Sequence, residues 1–234
     1  MSQAQRDLVE RNYHRVIDRA AAAAARRDRS EDSWRLVAVT KTVSPETAAA
    51  LAAIGVRDLG ENRVNELTSK LRALGGLDVR WHMIGHLQRN KVKKVVGHVD
   101  FIHSVDSERL AAEIERVAAP LEVVQKVLLE VNVSGEGSKY GIAPEEAQRL
   151  AESLASMKYV ALRGLMTMAP IVDDAEKTRP LFAALRDLGL MMAQAGLFGR
   201  SDFELSMGMT QDFEVAIEEG ATMIRVGSAL FEGL

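Results

Sequence analysis

A lysine placed directly after an apolar strand is a candidate nucleophile. Leu36, Val37, Ala38 and Val39 lead through Thr40 into Lys41, which would hold an amine at the mouth of an apolar sheet. Desolvation disfavours the ammonium form of a lysine and leaves the amine free to attack a carbonyl. That is Schiff-base chemistry. On position alone, a lysine snorkelling from the strand end into water is the plainer reading.

Two further segments read as phosphate-binding loops. Ser206-Met207-Gly208-Met209-Thr210 combines a glycine with hydroxyl donors ahead of a helix expected to start near Gln211, and Gly227-Ser228 forms a second glycine and hydroxyl pair. Glycine permits close backbone approach, and hydroxyls and helix-end amides donate to an anion. Either loop alone is weak, since Thr210 could simply cap a helix and Gly227 simply make a turn. Together with Lys41 they point to a phosphorylated carbonyl compound. Arg225 lies two residues before Gly227 and so shares its side of a strand. A guanidinium buried there needs a partner: an internal carboxylate, or a ring nitrogen of the ligand.

Gly60-Glu61-Asn62 and His82 are candidates for further polar contacts. His82 and His86 have the i, i+4 spacing of a zinc pair, but the segment reads as a strand and then a turn at Gly85, so no metal site is expected. Gly135, Gly137 and Gly141 lack the dinucleotide-binding spacing. Arg89, Lys91, Lys93 and Lys94 read as a solvated face. Met166 and Met207 are adaptable packing residues that could press on a flat ring.

The elements that must hold these residues alternate strand and helix. Apolar runs predict strands at 35–40, 58–60, 80–84, 101–104, 126–133, 159–166, 203–206 and 223–226, with helical segments between them. Eight such units close into a parallel (β/α)8 barrel, the TIM barrel, with an open doubly wound sheet as the competitor. In a barrel the active site lies at the carboxyl ends of the strands, where Lys41, Asn62 and both glycine loops fall. Ser44 and Pro45 start one helix and Pro144 another, while Gly55, Gly189, Gly196 and Gly220 sit where helices should stop. Residues 3 to about 28 form an extra amphipathic helix. Ser228 to Leu234 are too few for an eighth outer helix, so this first helix is expected to fill the vacancy. The expected organisation is one domain, 1–234, with 1–30 packed on the barrel.

Composition agrees with an ordinary folded chain of 234 residues, 47% hydrophobic and 27% charged. A formal charge of −3 gives no global attraction to nucleic acid. The absence of cysteine excludes disulfides, thiolate catalysis and cysteine-ligated metals within this sequence. With neither a signal-like start nor a membrane span in view, a cytoplasmic protein that binds no membrane is expected.

Seven ordered motifs then identify a family. AVTKTVS around Lys41, GENRVNE from Gly60, WHMIGHLQRNK from Trp81, HSVDS from His103, EVNVSGEGSKYG from Glu130, RGLMTMAP from Arg163 and SMGMTQDFEVAIEEGATMIRVGSALF from Ser206 resemble the pyridoxal phosphate homeostasis proteins of the YggS/PROSC type. The likeness covers about 34–231. It implies a barrel like the amino-terminal domain of alanine racemase, with pyridoxal 5'-phosphate held as an internal aldimine on Lys41. It further implies that Ser206, Gly208, Thr210, Gly227 and Ser228 surround the phosphate, that Arg225 faces the pyridine nitrogen and that Asn62 lies near the ring. His82, Met166 and Met207 complete the candidate cofactor-binding set. The tail departs from the family, reading Glu232-Gly233-Leu234 after Phe231.

The resemblance implies a carrier or regulator that limits free reactive aldehyde, with pyridoxal-phosphate-dependent apoenzymes as candidate recipients; a monomer is expected because the barrel reads as self-contained. A pyridoxal-phosphate-dependent racemase is the rival, using Lys41 on one face and Tyr13, Tyr140 or Tyr159 on the other. A Schiff-base aldolase on a sugar phosphate would use the same lysine and loops without the cofactor.

Overall fold

The structure, a computed structural model, describes residues 1–136, 140–199 and 202–234. The chain opens with α1 (Gln3–Ala25), whose Ser2 and Gln5 form a reciprocal capping box. Eight strands follow: β1 (Arg35–Val39), β2 (Asp58–Glu61), β3 (Arg80–Met83), β4 (Phe101–Val105), β5 (Gln125–Glu130), β6 (Val160–Met166), β7 (Glu204–Ser206) and β8 (Met223–Val226). All neighbours are parallel, and β8 pairs back onto β1 with Val37 opposite Arg225, closing the barrel in sequence order. Outside it lie α2 (Pro45–Ala53), α3 (Val64–Ala73), α4 (Glu108–Ala118), α5 (Pro144–Leu154), α6 (Arg179–Gln194) and α7 (Phe213–Glu218). The β3–β4 connection carries a 3-10 turn, Arg89–Lys94, in place of an α-helix.

The eighth helical position is filled by α1. Asn12 Nδ2 donates to the carbonyls of Leu230 and Glu232, and Arg19 and Arg26 pair with Glu214 and Glu218 of α7. The first helix thus closes the gap between the last outer helix and the carboxyl-terminal turn. Among the described residues, no helix is long and apolar enough to cross a membrane.

Several boundaries differ from expectation. β5 stops at Glu130 because Val131 makes only an isolated bridge to Ile142. Gly189 does not end a helix: α6 runs through it to Gln194, and a Cβ there would stand 2.4 Å from the Phe203 ring. That glycine serves close packing. α7 starts at Phe213, two residues past Gln211, because residues 210–212 form a turn.

Strand alternation divides two cores. Leu36, Ala38, Leu59, Ile102, Val127, Leu129, Leu165, Ile224 and Val226 face the helices. Val37, Phe101, Leu128, Met166 and Met223 form a small apolar cluster inside the barrel. Much of the remaining interior is polar, which departs from the branched apolar layers usual in these barrels. Asp58, His82, His103, Ser206 and Arg225 are all at most 4% exposed.

Candidate functional site

Lys41 is exposed, in the turn between β1 and α2 at the carboxyl end of the barrel. It has the parity of the inward-facing Val37 and Val39. The apolar, water-excluding setting expected from its strand is therefore not what surrounds it. Its neighbour is instead rigidly tied. Thr40 N donates to Gly60 O at 3.0 Å, Thr40 Oγ1 to Glu61 Oε1 at 2.5 Å, and Lys70 Nζ bridges Thr40 O and Glu61 Oε1, each at 2.6 Å. The Lys70 and Glu61 side chains are 2% and 0% exposed. Glu61 was expected as a polar contact for a ligand; strand alternation turns it outward into α3, where it locks the peptide before Lys41.

The two glycine loops meet. Ser228 Oγ and Thr210 Oγ1 stand 3.0 Å apart, and Arg225 N donates to Gly208 O at 2.9 Å. Gly208 has φ +90°, and a Cβ there would lie 2.5 Å from that of Ala216. Only glycine lets the loop run this close to α7. The helix itself contributes less than expected. The amides of Asp212 and Phe213 both bond to Met209 O, while Asp212 Oδ1 takes the Met209 amide at 2.6 Å. Thr210 is half-buried and Ser228 exposed, so the hydroxyl pair opens toward the barrel mouth.

Arg225 is 4% exposed and fixed from two sides. Its Nη1 donates to Ser206 Oγ at 2.6 Å and its Nη2 to Thr167 O at 2.8 Å. Burial pulls its pKa down to about 10, so it remains a cation at neutral pH. Glu130, at the end of β5, has an unpartnered buried oxygen, and burial followed by the Asp106 charge raises its carboxyl to about 7. Asp212 is also raised by burial, against the amide bond from Met209.

His82 sits deeper than a mouth residue. Its ring stacks on Phe101 at 5.7 Å, and it reaches Arg225 only through His103 and Ser206. His86 is exposed and stacks on Tyr140 at 4.4 Å, so the two histidines do not come together. Met166 lines the barrel interior, whereas Met207 joins the outer core, because it follows the inward Ser206 by one residue. Asn62 is half-buried just past β2. Gly137 of the glycine-rich segment lies outside the described residues. Asp58, His103, Thr167, Glu130 and Asp212 were not singled out as site residues. Parity would have found the first two, since Asp58 shares the face of Gly60 and His103 that of Phe101.

A cavity of about 590 Å³ opens at the opposite end of the barrel, lined by Arg35, Arg80, Asp100, Lys126 and Glu204 among others. Three of its cations are paired: Arg35 to Glu204 at 2.7 Å, Arg80 to Asp58 at 2.6 Å and Lys126 to Asp100 at 2.7 Å. Barrel chemistry belongs to the other end.

The family model for the alanine racemase N-terminal domain matches residues 17–234. A pyridoxal phosphate homeostasis protein from Aquifex aeolicus is 44% identical over 217 residues, covering 93% of this chain and 94% of that protein. The crystal structure of an unknown protein from Bifidobacterium adolescentis is 40% identical, with TM-score 0.92 and 99% and 97% of the two chains covered. The structure of PipY from Synechococcus elongatus, with pyridoxal phosphate bound, is 38% identical, with TM-score 0.79 and 91% and 99% covered. The chain therefore belongs to the pyridoxal phosphate homeostasis proteins, within the alanine racemase N-terminal-domain family.

Proposed function

We propose that this chain binds pyridoxal 5'-phosphate covalently through Lys41 and serves intracellular pyridoxal phosphate homeostasis. The observation that carries the reading is the convergence of Thr210, Ser228 and Gly208 at the mouth that Lys41 borders. The residues fit the group. The hydroxyl pair and the close-running glycine backbone suit a phosphate, and the buried Arg225 keeps further N–H donors beyond the two bound to protein, suited to a ring nitrogen. Met166 lies on the interior side, where a flat ring would rest.

When bound, the cofactor supplies a reactive aldehyde and an electron-withdrawing ring. The protein's part is to hold it. Thr210 and Ser228 anchor the phosphate, and the Glu61–Lys70 clamp fixes the peptide that presents Lys41. Arg225 donates to the ring nitrogen without protonating it, because a guanidinium is a poor acid. A ring left unprotonated is a weak electron sink, which favours storage and delivery over racemase chemistry. The same reading takes the chain as one barrel domain, monomeric and cytoplasmic, with pyridoxal-phosphate-dependent apoenzymes as recipients.

Borohydride reduction after incubation with pyridoxal phosphate, followed by peptide mapping, tests the reading. A pyridoxyl group on Lys41, absent in Lys41→Ala, is expected. Label elsewhere, or label unchanged in Lys41→Ala, overturns it. A chain that takes no label at all favours the sugar-phosphate aldolase.

A further inference from the structure

The polar residues inside the barrel are joined end to end. Arg225 Nη1 contacts Ser206 Oγ at 2.6 Å, Ser206 Oγ contacts His103 Nδ1 at 2.8 Å, His103 Nε2 contacts His82 Nδ1 at 2.9 Å, and His82 Nε2 contacts Asp58 Oδ1 at 2.9 Å. We infer that Asp58, His82 and His103 are positioning residues for Arg225, which they hold toward the barrel mouth through Ser206 by a one-way hydrogen-bond relay.

The two ends fix the direction. A guanidinium can only donate, and an ionised carboxylate can only accept. Asp58 is ionised: burial works against its charge, but hydrogen bonds from His82 and Arg80 outweigh that and hold the carboxyl well below its usual range. Arg80 donates to both carboxylate oxygens, at 2.8 and 2.6 Å. His82 must then carry its proton on Nε2, leaving Nδ1 to accept from His103 Nε2–H. His103 Nδ1 in turn accepts from the Ser206 hydroxyl, whose oxygen is left to accept from Arg225. In this relay each contact holds one proton and each ring carries one. His103 is held well below the usual histidine range by burial, with the charges around it adding to the effect.

The arrangement answers how a buried cation persists with no carboxylate bonded to it. Its acceptor is polarised by a chain that ends on an ionised aspartate, and the exposed Arg80 balances that aspartate at the floor. Without the relay, the Ser206 hydroxyl is free to rotate its proton toward Arg225 and lose the contact.

The geometry stands by itself; its consequence for the cofactor rests on the reading of the mouth as a pyridoxal phosphate site. Nitrogen-15 NMR of the histidine rings in the full chain, without added cofactor, tests the geometry. Neutral Nε2–H tautomers at both His82 and His103 are expected. An Nδ1–H tautomer at either, or an imidazolium at His103 at neutral pH, overturns the relay. His103→Leu tests the consequence. It should retain pyridoxal phosphate about tenfold less tightly and displace the visible absorption band of the bound cofactor, with borohydride still labelling Lys41. His103→Gln, whose amide can both donate and accept, should recover part of the loss. A folded, Lys41-labelled His103→Leu with native retention and native absorption overturns the positioning role. If the leucine variant does not fold, the glutamine variant and the tautomers decide. Absence of label in the native chain sinks the site reading instead, and leaves the NMR outcome to judge the relay.

Discussion

Replacing Glu130 with glutamine should stabilise the cofactor-free chain at high pH and not at low pH. The carboxyl is 5% exposed, one of its oxygens has no hydrogen-bond partner, and burial with the nearby Asp106 raises its pKa from 4.5 to about 7. The folded form therefore holds the proton more tightly than the unfolded form. Its contribution to stability is complete below about pH 4.5 and is lost as pH rises through about 7. At roughly 1.4 kcal/mol per tenfold in proton affinity, the full loss is about 3 kcal/mol. Glutamine keeps the shape and cannot ionise, so the variant escapes that loss. Urea unfolding of both chains at about pH 5 and about pH 8 measures it. Any pH-independent difference from the new amide appears at both values, whereas the Glu130 effect makes the variant's gain about 2.5 kcal/mol larger at the upper pH. A difference that stays constant, or shrinks as pH rises, would refute the idea that a carboxylate is disfavoured at this position.

Lys70→Met should cost about 3–5 kcal/mol in urea unfolding by stranding the buried Glu61, and adding Glu61→Leu should return most of it; equal losses in single and double variants would contradict the clamp. Gly208→Ala combines φ +90° with a Cβ 2.5 Å from Ala216, so a loss of roughly 2–4 kcal/mol is expected; an unchanged unfolding midpoint would show that the loop yields. Thr210→Val should weaken retention of pyridoxal phosphate about tenfold while leaving that of unphosphorylated pyridoxal unchanged, as measured by equilibrium dialysis. A parallel loss for both compounds would place the hydroxyl away from the phosphate.

Much of the fold was legible because strand alternation is a strong signal in short runs. β8 falls at Met223–Val226 as read from sequence, and the inward parity of Arg225 holds. Sequence and structure part at residues one step out of that parity. Met207 was considered for a ring contact although it is one residue from Ser206, and Glu61 for a ligand contact although it is one residue from Gly60. Gly189 was read as a stop because the long-range contact that requires a glycine, the Phe203 ring, lies 14 residues away in sequence. Lys41 was placed correctly at a strand end, but its exposure depends on how the β1–α2 turn opens, which apolar patterning does not encode. The polar barrel interior was illegible for a related reason. Asp58 and His103 are isolated polar residues in different strands, and nothing in either segment announces that they share one hydrogen-bonded chain.

On the proposed reading of the mouth, the charges around Arg225 keep it ready for an anion. A buried guanidinium bonded directly to carboxylates would already be neutralised and would gain little from a phosphorylated ligand. Here neither Glu130 nor Asp212 bonds to it, and burial pushes both carboxyls up, Glu130 to about 7. Arg225, lowered only to about 10, keeps its charge throughout the neutral range. Its direct protein acceptors are a hydroxyl and a backbone carbonyl, neither of which carries a full negative charge. The ionised counter-charge, Asp58, is kept several contacts away and is paired with Arg80 at the floor. Positive potential is thus left pointing at the mouth, where the two glycine loops bring their hydroxyls together. An Asp or Glu introduced at Ser206 should cancel that potential at close range and weaken retention of pyridoxal phosphate far more than Ser206→Ala, which removes the relay but adds no charge. Equal effects from the two substitutions would mean that Arg225 acts by shape and hydrogen bonding alone.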